Sequence, residues 1–330
     1  MAHLTGSINT VNCLDATYSD DIARDIREGL TASQKYIPCK YLYDARGSKL
    51  FEEICLLPEY YPTRTEVAIL EEIAPELMRP YIPRDLIELG SGADRKIRIM
   101  LDAAGEAVRS VMRYIPVDIS ESAITESSLN LIDIYPEMEI IGVIGDFTCR
   151  IEGIPSDRPR LFCFLGGTIG NLDEQESINF LKNISTHMRG DDTLLIGFDM
   201  VKPIETVEVA YNDAQGITAE FNRNVLNVIN NELGADFDPS HFDHLAFFNI
   251  DRSRIEMHLR ANRDVWVRLE SIGMEVEFEE DETIHTENSR KFTRGSIEHM
   301  ANQAHLSIQN SYTDPKGWFS LLEMRCRDRR

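Results

Sequence analysis

At the ends of apolar runs in this 330-residue chain stand glycines, carboxylates and aromatic rings. In "DLIELGSGADRKIR", residues 85–98, they are spaced acid-x-Gly-x-Gly, as Glu88, Gly90 and Gly92. An apolar run that breaks at a glycine turn and resumes as a helix presents backbone N–H groups to a nucleotide. A dinucleotide fingerprint needs a third glycine at position 95, and Arg95 stands there. No G-x-x-x-x-G-K-[ST] phosphate loop occurs. The spacing suits a nucleoside ligand without a pyrophosphate. S-adenosylmethionine is such a ligand, with a ribose, an amino-acid tail and a sulfonium. Gly90 and Gly92 let the backbone approach the tail, and Glu88 can face its ammonium. Asp118, closing the next apolar run, is placed to accept both ribose hydroxyls. Asp146 and Phe147, closing a third, can take the adenine amino group and cover the ring. Any one of these is commonly a turn or a helix cap. Three in order, each at a strand end, point jointly to a cofactor at the carboxyl edge of an open sheet.

Such residues need strands to place them. "DLIELG", "YIPVDIS", "EIIGVIGDF", "RLFCFLGG" and "TLLIGFDMV" read as buried strands separated by helix-length segments. This alternation predicts an α/β fold with a parallel sheet covered on both faces. The flanks differ. Residues 1–66 carry helix patterns and a loop-rich stretch, and Thr63-x-x-Glu66 fits a capping box that opens a helix with Ile69, Leu70, Ile73 and Leu77 on one face. Residues 203–233 read as helical, with Phe221, Val225, Val228 and Ile229 in a stripe and Gly234 as the stop. Strand-like pieces follow, so the parallel unit is interrupted. A second unit is expected from the N-terminus plus an insertion after the fifth strand.

The composition is that of a globular protein, 42% apolar and 27% charged. The formal net charge of −22 disfavours nucleic acid and anionic membranes as partners. Six cysteines (Cys13, Cys39, Cys55, Cys149, Cys163 and Cys326) form no C-x-x-C pair and read as thiols in a reducing cytoplasm. Neither a signal peptide nor a membrane span is expected. His241 and His244 in "HFDH" invite a metal reading, but no third ligand stands nearby, and a surface loop is the expectation.

Other stretches are more specific than the glycine turn: "YDARGSKLFEEICLLPEYYPTRTE", "FLGGTIGNL", "YNDAQGITAEFNRNVLNVINNEL", "RIEMHLRA" and "TENSRKF", between residues 43 and 292. Together they make the whole chain resemble the histidine-specific methyltransferases of ergothioneine biosynthesis. The resemblance implies a Rossmann-like class I S-adenosylmethionine-dependent methyltransferase domain, 67–201 plus 292–330. It also implies a second, discontinuous α+β substrate-binding domain, 1–66 plus 202–291. The implied reaction is trimethylation of the α-amino group of free L-histidine to hercynine, without a metal; nothing in the sequence demands a dimer, and a monomer is expected.

Residue by residue, the resemblance makes Tyr43 and Tyr60 the catalytic candidates, in an aromatic wall with Phe51 that suits a trimethylammonium product. Gly166 and Thr168 lie near the amine. Asn171 and Tyr211 clamp the carboxylate with neutral donors, which keeps positive charge away from the amine. Glu287 and Ser289 recognise the imidazole, Glu287 accepting from one ring nitrogen and favouring the protonated ring, while Met257 lines the ring pocket. Cofactor positions correspond to Gly90, Lys96, Asp118, Asp146 and Phe147. Lys96 either reaches the methionine carboxylate or is a solvated helix lysine. The alternatives are a methyltransferase for tryptophan or tyrosine, a non-catalytic cofactor sensor, and an NAD-dependent oxidoreductase, the last disfavoured by Arg95.

Overall fold

The structure is a computed structural model that describes residues 7–13, 18–79, 84–92, 94–147 and 153–327, with backbone alone for 18–21. Cys149 lies outside the described residues. The chain divides into two compact units, Met1–Leu14 with Pro62–Val201 and Phe292–Arg330, and Asp15–Tyr61 with Lys202–Lys291.

The first unit is built on an eight-stranded sheet: β1 (Ser7–Asn12), β2 (Asp85–Leu89), β3 (Arg113–Asp118), β4 (Glu139–Ile144), β5 (Arg160–Phe164), β6 (Thr193–Asp199), β12 (Leu306–Thr313) and β13 (Phe319–Cys326). Their spatial order is β1-β4-β3-β2-β5-β6-β13-β12. The first six run parallel, and β13 is antiparallel to both β6 and β12. Strand order reverses at β2 and β5, so their carboxyl ends open the crevice where doubly wound sheets bind ligands. Ser7–Asn12, which the sequence grouped with the helical N-terminal segment, instead pairs with β4.

Alternation explains why the strands read as unbroken apolar runs. Leu86, Tyr114, Leu161 and Leu195 pack with α3 (Tyr61–Leu77), α4 (Arg95–Ala104) and α6 (Glu121–Ile134), the short α5 (Glu106–Arg109) following α4. Their neighbours Ile87, Ile115, Phe162 and Leu194 pack with α7 (Glu174–His187) and α10 (Arg294–Gln303). Successive side chains point to opposite faces, and both faces are covered.

The second unit contains α1 (Tyr18–Thr31), α2 (Ala45–Leu56), α8 (Ile204–Tyr211) and α9 (Ile217–Leu233). With them stands an antiparallel sheet of β7 (Phe242–Asn249), β8 (Arg254–Ala261) and β11 (Thr283–Arg290), ordered β11-β8-β7, and a hairpin of β9 (Val265–Leu269) and β10 (Met274–Phe278). The expected stripe Phe221, Val225, Val228 and Ile229 is buried, and Gly234 ends α9 in the left-handed conformation. The expected single helix over 203–233 is broken in two. The Asp213 carboxylate takes the amides of Ile217 and Thr218, and Gly216 adopts φ 76°, so a new N-terminus forms inside the segment.

Candidate active site

In the first unit the glycine turn is held open by β3. The carbonyl of Val117 accepts from the amides of Gly90 (2.9 Å) and Ser91 (3.4 Å). Gly90 has φ 75°, and a Cβ there would stand 3.4 Å from the Phe147 ring. A Cβ on Gly92 would meet nothing within 4 Å, so the turn is open on that side. Asp118 ends β3 and accepts from the Ser120 amide at 2.9 Å. Burial pushes its carboxyl up to about 6 against the pull of the Ser120 and Ile119 amides. Phe147 packs edge-on against Phe164 at 5.8 Å, with Asp146 beside it. An open glycine turn, a carboxylate at the next strand end and a fixed aromatic ring beyond it fit a nucleoside with an amino-acid tail. Glu88 is deeper than a ligand-facing acid would be. It accepts from the Tyr114 hydroxyl, and burial raises it to about 7 although Tyr114 and Lys96 oppose that.

Glu66 is a residue whose role the sequence hid. Rather than capping α3, it lies inside that helix, fully buried. Its two carboxylate oxygens each stand 2.9 Å from the Gly166 amide, and Lys96 Nζ pairs with it at 2.7 Å. Lys96 is therefore neither a solvated helix lysine nor uncommitted. Gly166 and Gly167 both have positive φ, 88° and 67°, so the chain after β5 turns back on itself. Gly197 makes room for this arrangement, since a Cβ there would fall 2.6 Å from Glu66 Oε1. Thr168 donates to the Leu165 carbonyl at 3.0 Å. Asn171 ends the short Thr168–Asn171 turn, half-buried.

In the second unit the structure brings together the expected wall. Ring centroids are separated by 5.5 Å for Tyr43–Phe51, 6.2 Å for Phe51–Tyr60 and 6.0 Å for Tyr60–Tyr211. Phe221, read in the sequence only as core, stands 5.4 Å from Tyr43 and belongs to the same cluster. Burial pushes both Tyr43 and Tyr60 well above the ordinary phenol range, reinforced by Glu287 beside Tyr43 and by Tyr211 beside Tyr60. Neither is a resting base at neutral pH. Glu287 and Ser289, two apart on β11, share one face of the strand. Tyr43 donates to Glu287 at 3.1 Å. Met257 is buried on β8 directly opposite Glu287.

Tyr211, which the resemblance assigns to the substrate carboxylate, donates its hydroxyl to Ser289 at 2.7 Å. Positive charge is also present: Lys291, 4% exposed, donates to Ser289 at 2.8 Å and to Tyr211 at 3.3 Å. His244 lies on β7 rather than in a loop. Its Nε2 is 2.9 Å from the Tyr211 carbonyl and its Nδ1 3.0 Å from the Asn222 amide nitrogen. Asn222 accepts in turn from Thr286, the residue beside Glu287. No cluster of metal-ligating side chains occurs among the described residues.

A nucleoside cradle on a doubly wound sheet in the first unit, and aromatic rings gathered around a carboxylate and a hydroxyl in the second, fit an α/β enzyme that uses a nucleoside cofactor on a small polar substrate. Comparison with known proteins narrows it. The family model described as histidine-specific methyltransferase, SAM-dependent, matches residues 22–326. The histidine N-alpha-methyltransferase of Mycolicibacterium smegmatis is 42% identical over 303 residues, 92% of this chain and 94% of that protein. Its Mycobacterium tuberculosis counterpart is 41% identical over 300 residues, 91% of this chain and 93% of that one. Ergothioneine biosynthesis protein 1 of Schizosaccharomyces pombe is 30% identical over 273 residues, 79% of this chain but 34% of that longer protein. The chain belongs to the S-adenosylmethionine-dependent, histidine-specific methyltransferase family.

Proposed function

We propose that this protein methylates the α-amino nitrogen of free L-histidine three times, giving hercynine, the betaine that opens ergothioneine biosynthesis. Family membership supports the reaction. The observation that carries the substrate is the placement of Glu287 and Ser289 side by side at an aromatic cluster. A carboxylate and a hydroxyl at that spacing match the two nitrogens of an imidazole. An apolar ring would leave the carboxylate without its partner, which is how polar sites discriminate strongly.

S-adenosylmethionine supplies, when bound, an electrophilic methyl group on a sulfonium sulfur. Gly90 and Gly92 would admit its amino-acid tail, Asp118 would accept the ribose hydroxyls, and Asp146 with Phe147 would hold the adenine. Glu66 fixes the Gly166 turn and neutralises Lys96. Asn171 and Thr168 receive the carboxylate and amine end of histidine. The protein's work is mostly positioning, because the leaving group arrives with the cofactor. Tyr43, Phe51, Tyr60 and Phe221 offer ring faces to an ammonium that grows bulkier and loses hydrogen-bond donors with each methyl group. Tyr60 can accept a hydrogen bond from the amine and pass its proton to water.

Incubating the purified protein with S-adenosylmethionine and histidine labelled with ¹⁵N at the α position tests this. Methyl protons coupled to the labelled nitrogen are expected in the product. Methyl groups on the ring, or none, would overturn the reading.

A further inference from the structure

Two donors around Ser289 fix the direction of its hydroxyl. A serine hydroxyl has one proton to give and two lone pairs to receive with. Ser289 Oγ receives from the Tyr211 hydroxyl at 2.7 Å and from Lys291 Nζ at 2.8 Å. Lysine has donors only. Both lone pairs are thus occupied, and the Ser289 proton is the one capacity left. Ser289 is buried, as are Tyr211 and Lys291, so water does not readily replace either donor. Glu287, two residues earlier on the same face, is an acceptor that already receives from Tyr43. The pair therefore offers one acceptor and one donor.

We infer that Lys291 is a specificity-determining positioning residue: by filling a lone pair of Ser289 it makes that hydroxyl a donor, so the site takes the neutral imidazole ring, its N–H toward Glu287 and its bare nitrogen toward Ser289. This rests on the histidine reading and deepens it. It reverses the expectation that Glu287 selects the protonated ring. An imidazolium has two N–H groups. One would meet the Ser289 proton, and the added positive charge would lie near Lys291. The other ionisable groups around this position include the phenols of Tyr43, Tyr60 and Tyr211. On the opposite face of the sheet stand Arg254, Glu256, His258 and His285, and His285 is held down to about 4, chiefly by burial. None of these supplies Ser289 with an alternative partner.

The test is the ¹⁵N spectrum of ring-labelled histidine bound to the full-length protein with S-adenosylhomocysteine, which prevents turnover. It is recorded at about pH 5.5, where roughly nine-tenths of free imidazole is protonated. Bound histidine is expected to show one N–H nitrogen and one bare nitrogen. Two protonated nitrogens in the wild type would overturn the inference without touching the proposed function. Failure of histidine to bind at any pH would overturn both. In Lys291→Met, Ser289 regains a lone pair, and the bound ring is expected to become protonated at that pH. Lys291→Arg restores a donor and the neutral pattern. A neutral ring in Lys291→Met would remove Lys291 from the role.

Discussion

Replacing Glu287 by alanine tests the substrate assignment at its most specific point. Glu287 is 8% exposed and already receives the Tyr43 hydroxyl. In the proposed site it also accepts from the imidazole N–H. A hydrogen bond to a charged group contributes about 1.5–3 kcal/mol net. At about 1.4 kcal/mol per decade, Glu287→Ala should lower kcat/KM for histidine by roughly 10- to 150-fold, mostly through KM. Phenylalanine and tryptophan should move the other way. In the wild type their rings leave a buried carboxylate short of a partner, and the alanine variant removes that obstacle. The preference for histidine over phenylalanine should therefore shrink by more than histidine alone loses. Tyr43 loses its acceptor in the variant, costing about 1 kcal/mol of stability. Thermal denaturation run alongside separates that from the kinetic effect. Steady-state kinetics with each amino acid, following S-adenosylhomocysteine release, gives the numbers. An unchanged kcat/KM for histidine, or an equal loss for all substrates, would refute the role given to Glu287.

Three further outcomes follow from the first unit. In the proposed site Asp118 must be ionised to accept two ribose hydroxyls, and burial pushes its carboxyl up to about 6. Calorimetric affinity for S-adenosylhomocysteine should thus weaken as pH falls below that value, approaching about tenfold per pH unit, while Asp118→Asn should bind weakly with a flat profile; an unaltered profile in the variant would exclude Asp118. Glu88 is raised from 4.5 to about 7, so the folded chain holds a proton that the unfolded chain has released between those values. Its stabilising effect is present at low pH and lost as pH rises through 7, on the order of 3 kcal/mol; urea unfolding of the ligand-free protein at pH 5 and pH 8 should show this fall, reduced in Glu88→Gln. Lys96→Met should strand the buried Glu66 carboxylate and cost about 3–5 kcal/mol; a calorimetric Tm equal to wild type would show the pair to be dispensable, and partial recovery in Lys96→Met with Glu66→Gln is expected.

The parallel strands were legible because burial on both faces leaves an unbroken apolar run, as in "DLIEL" and "RLFCF". The positions of Gly90, Asp118 and Phe147 at or just past strand ends were legible because each closes an apolar run. What escaped were features defined by partners distant in sequence. Thr63-x-x-Glu66 satisfies a local capping pattern, but Glu66 meets Gly166, 100 residues on. The break at Asp213 required weighing two backbone amides against helix continuity. Ser7–Asn12 is exposed along its length, so no apolar run announced it as an edge strand. Lys291 drew no reading from "TENSRKF", because what sets it apart is its contact with Ser289 and with Tyr211, 80 residues earlier. His244 was read as a loop residue, because its partners Tyr211 and Asn222 lie on two helices of the insertion.

The measurement closest to the central claim is a mass-resolved competition. The purified protein would be given S-adenosylmethionine and an equimolar mixture of the twenty amino acids. Histidine alone is expected to gain mass, in steps of one, two and finally three CH₂ increments, with S-adenosylhomocysteine formed in proportion. Gain of mass by another amino acid in preference to histidine would contradict the roles given to Glu287 and Ser289. No methylated amino acid at all, with cofactor binding intact, would contradict the proposed reaction itself.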